Sequence, residues 1–218
     1  MARESKAAKK ERAAQIITRL EKMYPGATCE LHWENPWQLL IAAMLSAQST
    51  DERVNMTTPE LFRRYPDPPS LALAFQEDVE EIIKSVGLFR TKAKSIRETS
   101  VGLCERYNCE APASMEELLT LPGVARKTAN VVLGTAFGLA TGVVVDTHIF
   151  RLAKRLGLTP LAQKDRNKTE KDLMALFPQD NWVFAGHALV LHGRRLCTAR
   201  APQHDKCGVA DLCPKYDV

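Results

Sequence analysis

The sequence predicts an all-α fold for this chain of 218 residues. Apolar residues recur at helical spacing along most of the chain, as at Ile16, Ile17, Leu20 and Met23. Strand signals are few, because the apolar run at 142–145 is short and stops at a charged residue. The predicted helices are joined by short segments that carry Pro and Gly, which favour turns. We therefore expect helices of modest length packed as a globule rather than a coiled coil.

The same spacing predicts the helices one by one. The stretch 36–48 opens with proline, which suits the first helical position, and it is almost entirely apolar, as in a buried helix. Gly87 is a natural end for the helical pattern that precedes it. The predicted helical segments are 11–23, 36–48, two short pieces within 69–87, 91–108, 114–123, a helix that starts near Ala125, 145–158, 168–178 and 182–197.

Composition and charge narrow the class of protein. The chain is 45% hydrophobic and 26% charged, which is ordinary for a soluble globular protein. It has no apolar run of the roughly 18 residues that a membrane helix needs, and its start lacks the apolar segment of a secretory signal. We therefore expect a cytoplasmic protein. The net charge of +4 is compatible with a polyanionic partner. Residues 1–22 carry seven Lys or Arg against three Glu, an excess that fits either a solvated helix face or contact with phosphates.

The most informative stretch is LLTLPGVARKTANVVLG, at 118–134. A helix is expected to end near Leu119. Pro122 and Gly123 then form a tight turn, after which a second helix starts near Ala125. The first turn of that helix would point free backbone N–H groups outward, which can hold a phosphate without reading sequence. Many such turns only join packed helices, so this feature alone does not establish DNA binding.

Lys127 lies within the first turn of that second helix. The positive end of the helix dipole disfavours an ammonium there, Arg126 adds a like charge, and a neutral amine is a nucleophile. About twenty residues later, an apolar run delivers Asp146 to a helix start. Asp146 can cap that helix or, facing a lysine amine, stabilise positive charge at a sugar carbon or handle protons. Lys127 and Asp146 favour catalysis over DNA binding alone, because gripping a phosphate needs neither.

The stretches LPGVARKTANVVLGTAFG (121–138) and VVVDTHIFRLAKRLGL (143–158) closely resemble the endonuclease III group of helix–hairpin–helix DNA glycosylases. LLIAAMLSAQSTD (39–51) and VGLFRTKAKSI (86–96) resemble the same group in the right order. The likeness extends from about residue 11 to the end of the chain.

The resemblance implies a two-lobed, all-α protein. A six-helix barrel domain with the helix–hairpin–helix would span 29–140, while 1–28 and 141–218 would form an N-terminal helix plus an iron–sulfur cluster domain. Damaged double-stranded DNA would lie between the lobes with a base flipped out. We expect a monomer that acts on DNA in the bacterial nucleoid, without a membrane partner.

The resemblance also implies a chemistry. Lys127 matches the family's hairpin lysine, which attacks the sugar C1′, releases the base and forms a Schiff base that undergoes β-elimination. Asp146 matches the family's catalytic aspartate. The usual substrates are oxidised or ring-saturated pyrimidines such as thymine glycol. The presence of Lys127 argues against the monofunctional relatives, which generally lack that lysine.

The remaining DNA-contacting residues are carried over from the family. Gln48 matches the glutamine that fills the gap left by the flipped base, and Leu88 matches a residue that wedges between bases of the opposite strand. Ala125 replaces a glycine found in many members, and we expect phosphate binding to survive this change. The other residues expected to contact DNA lie in the hairpin and near the end of the chain: Leu121, Gly123, Arg126, Arg194 and Arg195.

The six cysteines fall into two groups. Cys29, Cys104 and Cys109 are scattered and are assigned no function. Cys197, Cys207 and Cys213 lie within 17 residues, and such clustering favours a metal over disulfides.

The spacing of this cluster is C-x6-H-x2-C-x5-C, which places His204 where the family has the second of four cysteines. The resemblance favours a [4Fe–4S] cluster with three cysteines and one histidine. A structural zinc ion on the same residues is one alternative. In another, His204 binds nothing and Asp205, water or exchange completes the site. In each case we expect a structural site that holds a short basic tail.

The sequence is compatible with three functions. The main hypothesis is a bifunctional DNA glycosylase and AP lyase of base excision repair. The second is a non-catalytic helix–hairpin–helix DNA-binding protein, which would not nick abasic DNA. The third is a related glycosylase with a different lesion preference.

Overall fold

The computed structural model describes residues 4–215, whose regular secondary structure is entirely helical, with no strand. This confirms the predicted all-α class. The helices in the described residues are α1 (Lys6–Met23), α2 (Pro36–Leu45), α3 (Asp51–Arg64), α4 (Pro68–Ala72), α5 (Gln76–Ile83), α6 (Phe89–Arg106), α7 (Met115–Leu118), α8 (Arg126–Ala136), α9 (Thr147–Arg155), α10 (Arg166–Leu176) and α11 (Trp182–Arg195), with 3₁₀ turns at Gln179–Asn181 and His204–Lys206.

The chain divides into two compact units. Glu30–Leu139 forms one of them, which we call the central unit, and it contains α2 to α8. The segments before and after it form the other, the terminal unit, with α1 and α9 to α11. Their assignment as a six-helix barrel domain and an iron–sulfur domain stays a prediction. Residues 1–3 and 216–218 of the predicted domains lie outside the described residues.

The core of the central unit is built around α2. All residues of this helix from Trp37 to Leu45 are buried, as its nearly all-apolar sequence predicts. Asn35 caps its start by accepting a hydrogen bond from the Gln38 amide at 3.0 Å. The helix packs against α3, α6 and α8. It ends at Leu45, three residues before the predicted end, so Gln48 lies beyond the helix in a loop.

The sequence reasoning missed α3. Pro59 lies inside this helix and interrupts the pattern that otherwise signals it. The start of α3 is capped, because the Thr50 side chain accepts a hydrogen bond from the Arg53 amide at 3.2 Å. Val54 and Leu61 are fully buried, so packing stabilises a helix that the proline weakens.

The core of the terminal unit lies among α1, α9, α10 and α11. The helix α11 packs against both α1 and α9. Arg12 of α1 ties that helix to the rest of the unit, because its guanidinium donates to the carbonyls of Leu156 and Leu212 at 2.7 and 3.0 Å. No helix within residues 4–215 is both long and apolar enough to cross a membrane.

Candidate active site and metal pocket

The turn between α7 and α8 is held tightly against the central core. Gly123 has a φ of +75°, and a Cβ there would lie 2.8 Å from the Ser95 Cβ. The Thr99 hydroxyl donates to the Pro122 carbonyl at 2.6 Å. Only glycine can adopt this left-handed conformation and also allow the close approach to Ser95, which explains why residue 123 is a glycine.

Leu121, which is expected from the sequence to contact DNA, has its side chain in the core. Its side chain is only 2% exposed and packs against α6 at Gly102. Its amide donates to the Leu118 carbonyl at 3.1 Å. Leu121 therefore anchors the hairpin in the core, since burial of its apolar side chain is favourable, and its contact with DNA stays a prediction.

The start of α8 presents the predicted phosphate-binding and catalytic residues. Ala125 is its N-cap residue, in an extended conformation that alanine adopts without strain, and it provides no side-chain hydrogen bond to the first turn. Arg126 and Lys127 follow at the first two helical positions, and both are exposed. Burial within the chain therefore does not desolvate the Lys127 amine. The uncapped first turn and the adjacent cations are suited to bind an anion.

Gln48 and Leu88 share two unusual properties. Both are exposed, Leu88 by 57%, and both have left-handed backbones with φ of 56° and 59°. Leu88 thus lies outside the core, and Gln48 lies beyond the end of α2. The two loops lie side by side, since a Cβ on Gly87 would be 3.4 Å from the Gln48 carbonyl oxygen.

Asp146 and the two arginines belong to the terminal unit. Asp146 is half-buried and caps α9, where Oδ1 accepts a hydrogen bond from the Ile149 amide at 2.8 Å. This capping role was one of the two predicted, and the catalytic one stays a prediction. Arg194 and Arg195 are exposed in the last turn of α11, where the helix dipole favours cations.

The clustered cysteines line one pocket of the terminal unit. Cys197, His204, Cys207 and Cys213 all contribute to its wall, together with apolar side chains such as Leu152 and Val209. The exposed Asp205 is not part of this lining. The structure therefore places the four residues that the spacing selects around the same pocket.

Each cysteine sulfur in the pocket has a nitrogen within hydrogen-bonding distance. The Arg155 guanidinium donates to the Cys197 Sγ at 3.4 Å. The amide of Lys215 donates to the Cys213 Sγ at 3.3 Å. The Nε2 of His192 lies 3.5 Å from the Cys207 Sγ. Such donors stabilise negative charge on sulfur and are the usual surroundings of metal-bound thiolates.

The pocket residues fit an iron–sulfur cluster by their chemistry. Burial raises the pKa of both Cys207 and Cys213, so the free thiols would stay protonated. Bound iron would supply the positive charge that favours the thiolate form of such cysteines. Among residues 4–215, no three His, Cys, Asp or Glu side chains converge closely enough to hold a single metal ion.

The chain matches the family model of the HhH-GPD superfamily base excision DNA repair proteins over residues 41–179. Residues 197–213 match the iron–sulfur binding domain of endonuclease III. Endonuclease III of Synechocystis is 53% identical to this chain, covering 95% of the chain and 94% of that protein. Endonuclease III of Escherichia coli is 42% identical, covering 94% and 95%.

Solved structures agree with these matches. A trapped endonuclease III–DNA covalent intermediate is 40% identical, with a TM-score of 0.89, covering 94% of this chain and 96% of that one. A thermostable thymine-DNA glycosylase is 21% identical with a TM-score of 0.86, covering 96% and 98%, and shows the shared fold.

The fold and the hairpin thus define a helix–hairpin–helix protein of base excision DNA repair. The chain belongs to the endonuclease III family. This confirms the predicted family and the predicted class of enzyme, a DNA glycosylase with AP lyase activity. It also supports an iron–sulfur cluster at 197–213, whereas the zinc alternative has no support.

Sequence reasoning missed two side chains at the pocket. His192 and Arg155 are 2% and 5% exposed, and each faces a cysteine sulfur. His192 is a weak signal, because a histidine in a mostly apolar helix often serves only packing, and Arg155 is one of three cations in α9. The position of His192 five residues before Cys197, near the end of the helix that precedes the cysteines, was the signal that could have found it.

Proposed function

We propose that this protein removes oxidised or ring-saturated pyrimidines of the thymine glycol type from double-stranded DNA and then cuts the abasic strand. The observation that carries the proposal is Lys127, exposed in the first turn of an uncapped helix directly after the glycine turn. An amine in this position can reach a sugar carbon of a strand whose phosphate is held by the same helix start.

In the proposed reaction, the Lys127 Nζ attacks C1′ and the bond from C1′ to the base breaks. The base departs with the bonding electrons and takes up the proton that the lysine nitrogen loses. The nitrogen lone pair then expels O4′ from C1′, and O4′ is protonated as the sugar ring opens, which leaves an iminium between nitrogen and C1′. The iminium acidifies the C2′ proton, whose loss expels the 3′ phosphate and cuts the strand. Water then hydrolyses the Schiff base and frees the lysine. Because Lys127 is exposed, bound DNA rather than the chain would desolvate its amine.

Asp146 is the proposed electrostatic partner. Its carboxylate would stabilise the positive charge that develops at the sugar or assist proton transfer. Its hydrogen bond to the start of α9 fixes the side chain, which supports such a role.

The proposed DNA contacts are of two kinds. Gly123, Ala125 and Arg126 at the hairpin, and Arg194 and Arg195 in the terminal unit, would hold phosphates, which gives affinity without sequence preference. Gln48 would fill the space left by the flipped base, and Leu88 would wedge between bases of the opposite strand. The exposure of Leu88 supports this, since an exposed leucine gains from burial against bases.

The proposed cofactor is a [4Fe–4S] cluster held by Cys197, His204, Cys207 and Cys213. When bound, it would supply a fixed structural centre. The chain's own residues would then hold the C-terminal loop: Arg155 donates to the carbonyls of Thr198 and Ala199 at 2.7 and 2.9 Å. We propose that the protein acts as a monomer in the bacterial nucleoid; its bacterial relatives support the bacterial setting alone.

The test is base release and strand nicking on a duplex with one thymine glycol. The wild-type protein should release the base and leave a β-elimination product. Asp146→Asn should slow both steps, while binding to an abasic-analogue duplex stays within about twofold. A wild-type protein that binds the duplex and neither releases the base nor nicks an abasic site would contradict the proposal and identify a DNA-binding module.

A further inference from the structure

A buried lysine in the central unit has no part in the proposed chemistry. Lys92 lies in the first turn of α6, is 6% exposed, and burial lowers the pKa of its amine. The amine donates to the Leu45 carbonyl at 2.7 Å and to the Ser49 hydroxyl at 3.0 Å. A lysine so deeply buried calls for an explanation, because removing an ammonium from water is unfavourable.

The end of α2 makes this burial tolerable. Leu45 is the last residue of that helix, so its carbonyl is among those that lack a partner within the helix. The helix dipole places partial negative charge at the same end. Lys92 therefore acts as a C-terminal cap from a different helix, and it fixes the point where the chain leaves α2.

The second contact of Lys92 joins two loops. The Ser49 hydroxyl oxygen accepts a hydrogen bond from Lys92 and another from the Gly87 amide at 3.1 Å. Ser49 follows Gln48, and Gly87 precedes Leu88. One buried amine thus connects the neighbours of the two exposed, left-handed residues.

We propose that Lys92 is a positioning residue that holds Gln48 and Leu88 in their paired left-handed conformations, ready to enter the duplex. A left-handed backbone is unfavourable for glutamine and leucine and persists only where surrounding contacts enforce it. Lys92 and Ser49 supply those contacts. This inference rests on the proposed function, in which Gln48 and Leu88 occupy the space around a flipped nucleotide.

The experiment measures preference for a disrupted duplex over an intact one. Affinity is determined for a duplex with a tetrahydrofuran abasic analogue and for the same duplex undamaged. Lys92→Met should reduce the ratio of the two affinities by about ten- to a hundredfold, because small displacements of positioned groups have effects of that size. Binding to undamaged duplex should stay within about twofold, since phosphate contacts are untouched.

Matched variants separate positioning from folding. Lys94→Met changes an exposed lysine in the same helix, two residues away, and should leave the ratio unchanged. Ser49→Ala keeps the contact between Lys92 and Leu45 but removes the oxygen shared with Gly87, so it should lower the ratio in a folded protein even if Lys92→Met proves unstable.

A double-mutant comparison tests the route of the effect. If Lys92 acts through Gln48 and Leu88, Lys92→Met should have no further effect on the ratio in a Gln48→Ala/Leu88→Ala background. The inference would be overturned by an unchanged ratio in both Lys92→Met and Ser49→Ala. It would also be overturned if Lys92→Met caused its full loss of preference in the Gln48→Ala/Leu88→Ala protein. Neither result would affect the proposal that the wild type excises bases. A wild-type protein with no preference for the abasic analogue would overturn both proposals.

Discussion

The hairpin of the central unit and the cysteine pocket of the terminal unit place their functional groups in opposite ways. In the hairpin the core holds the turn, through Gly123 and Leu121, while Arg126 and Lys127 stay exposed. In the pocket the groups of interest face inward, and His192 and Arg155 are buried against cysteine sulfurs. The first arrangement suits a large external ligand, and the second suits a small resident one.

The two regions therefore require different features of their sequences. The hairpin needs a particular backbone conformation and one reactive side chain. A substitution in the turn should therefore lower stability, whereas a substitution of the lysine should lower catalysis. The pocket needs a donor set at fixed spacing, so a change of donor should alter the metal centre before it alters activity on DNA.

The largest expected effect is at the exposed lysine. Lys127→Ala should lower base release and nicking of thymine glycol duplex by about 10⁴-fold or more, the scale seen when a catalytic nucleophile is removed. Affinity for the abasic-analogue duplex should change little, because the helix start still holds the phosphate. Single-turnover kinetics and a binding titration measure both quantities.

The turn itself should show a moderate effect on stability. Gly123→Ala combines a left-handed φ with a Cβ 2.8 Å from the Ser95 Cβ, so it should lower the free energy of unfolding by more than strain alone, which is about 1–3 kcal/mol. Gly138→Ala is the matched control, because its φ is +67° and nothing lies within 4 Å. Urea unfolding of both variants measures the difference. Equal losses would show that the core does not clamp the turn.

The smallest effect on DNA activity is expected at the histidine of the pocket. His204→Cys restores four thiols at the family spacing, so the protein should keep its iron, and the reduction potential of the cluster should fall, because histidine ligation raises it relative to cysteine. Iron content and voltammetry measure these quantities. An unchanged potential in an iron-loaded variant would show that His204 is not a ligand.

The two regions also differ in how far the sequence predicted them. The glycine turn and Lys127 were predictable, because a tight turn and a helix start depend on local sequence. The pocket was predictable in its four spaced residues, which lie within one short loop. His192 and Arg155 were missed, since their contacts with Cys207 and Cys197 form only when the chain packs.

Other differences have equally physical causes. The burial of Leu121 was not predicted, and it arises because a turn inserted between packed helices needs an apolar anchor. The helix α3 was missed because Pro59 hides its pattern and only packing reveals it. The left-handed backbones of Gln48 and Leu88 have no local signal, since neither residue favours that conformation. They depend on contacts such as those of Lys92, which is distant from Gln48 in sequence.

The most direct test of the central claim is borohydride trapping on a thymine glycol duplex, followed by mass spectrometric mapping of the attachment site. Borohydride reduces a Schiff base to a stable bond, so the wild-type protein should give one covalent adduct that maps to residue 127. The Lys127→Ala protein should give none. Absence of an adduct with wild type, or an adduct that persists in the variant, would contradict the assignment of Lys127 as the nucleophile.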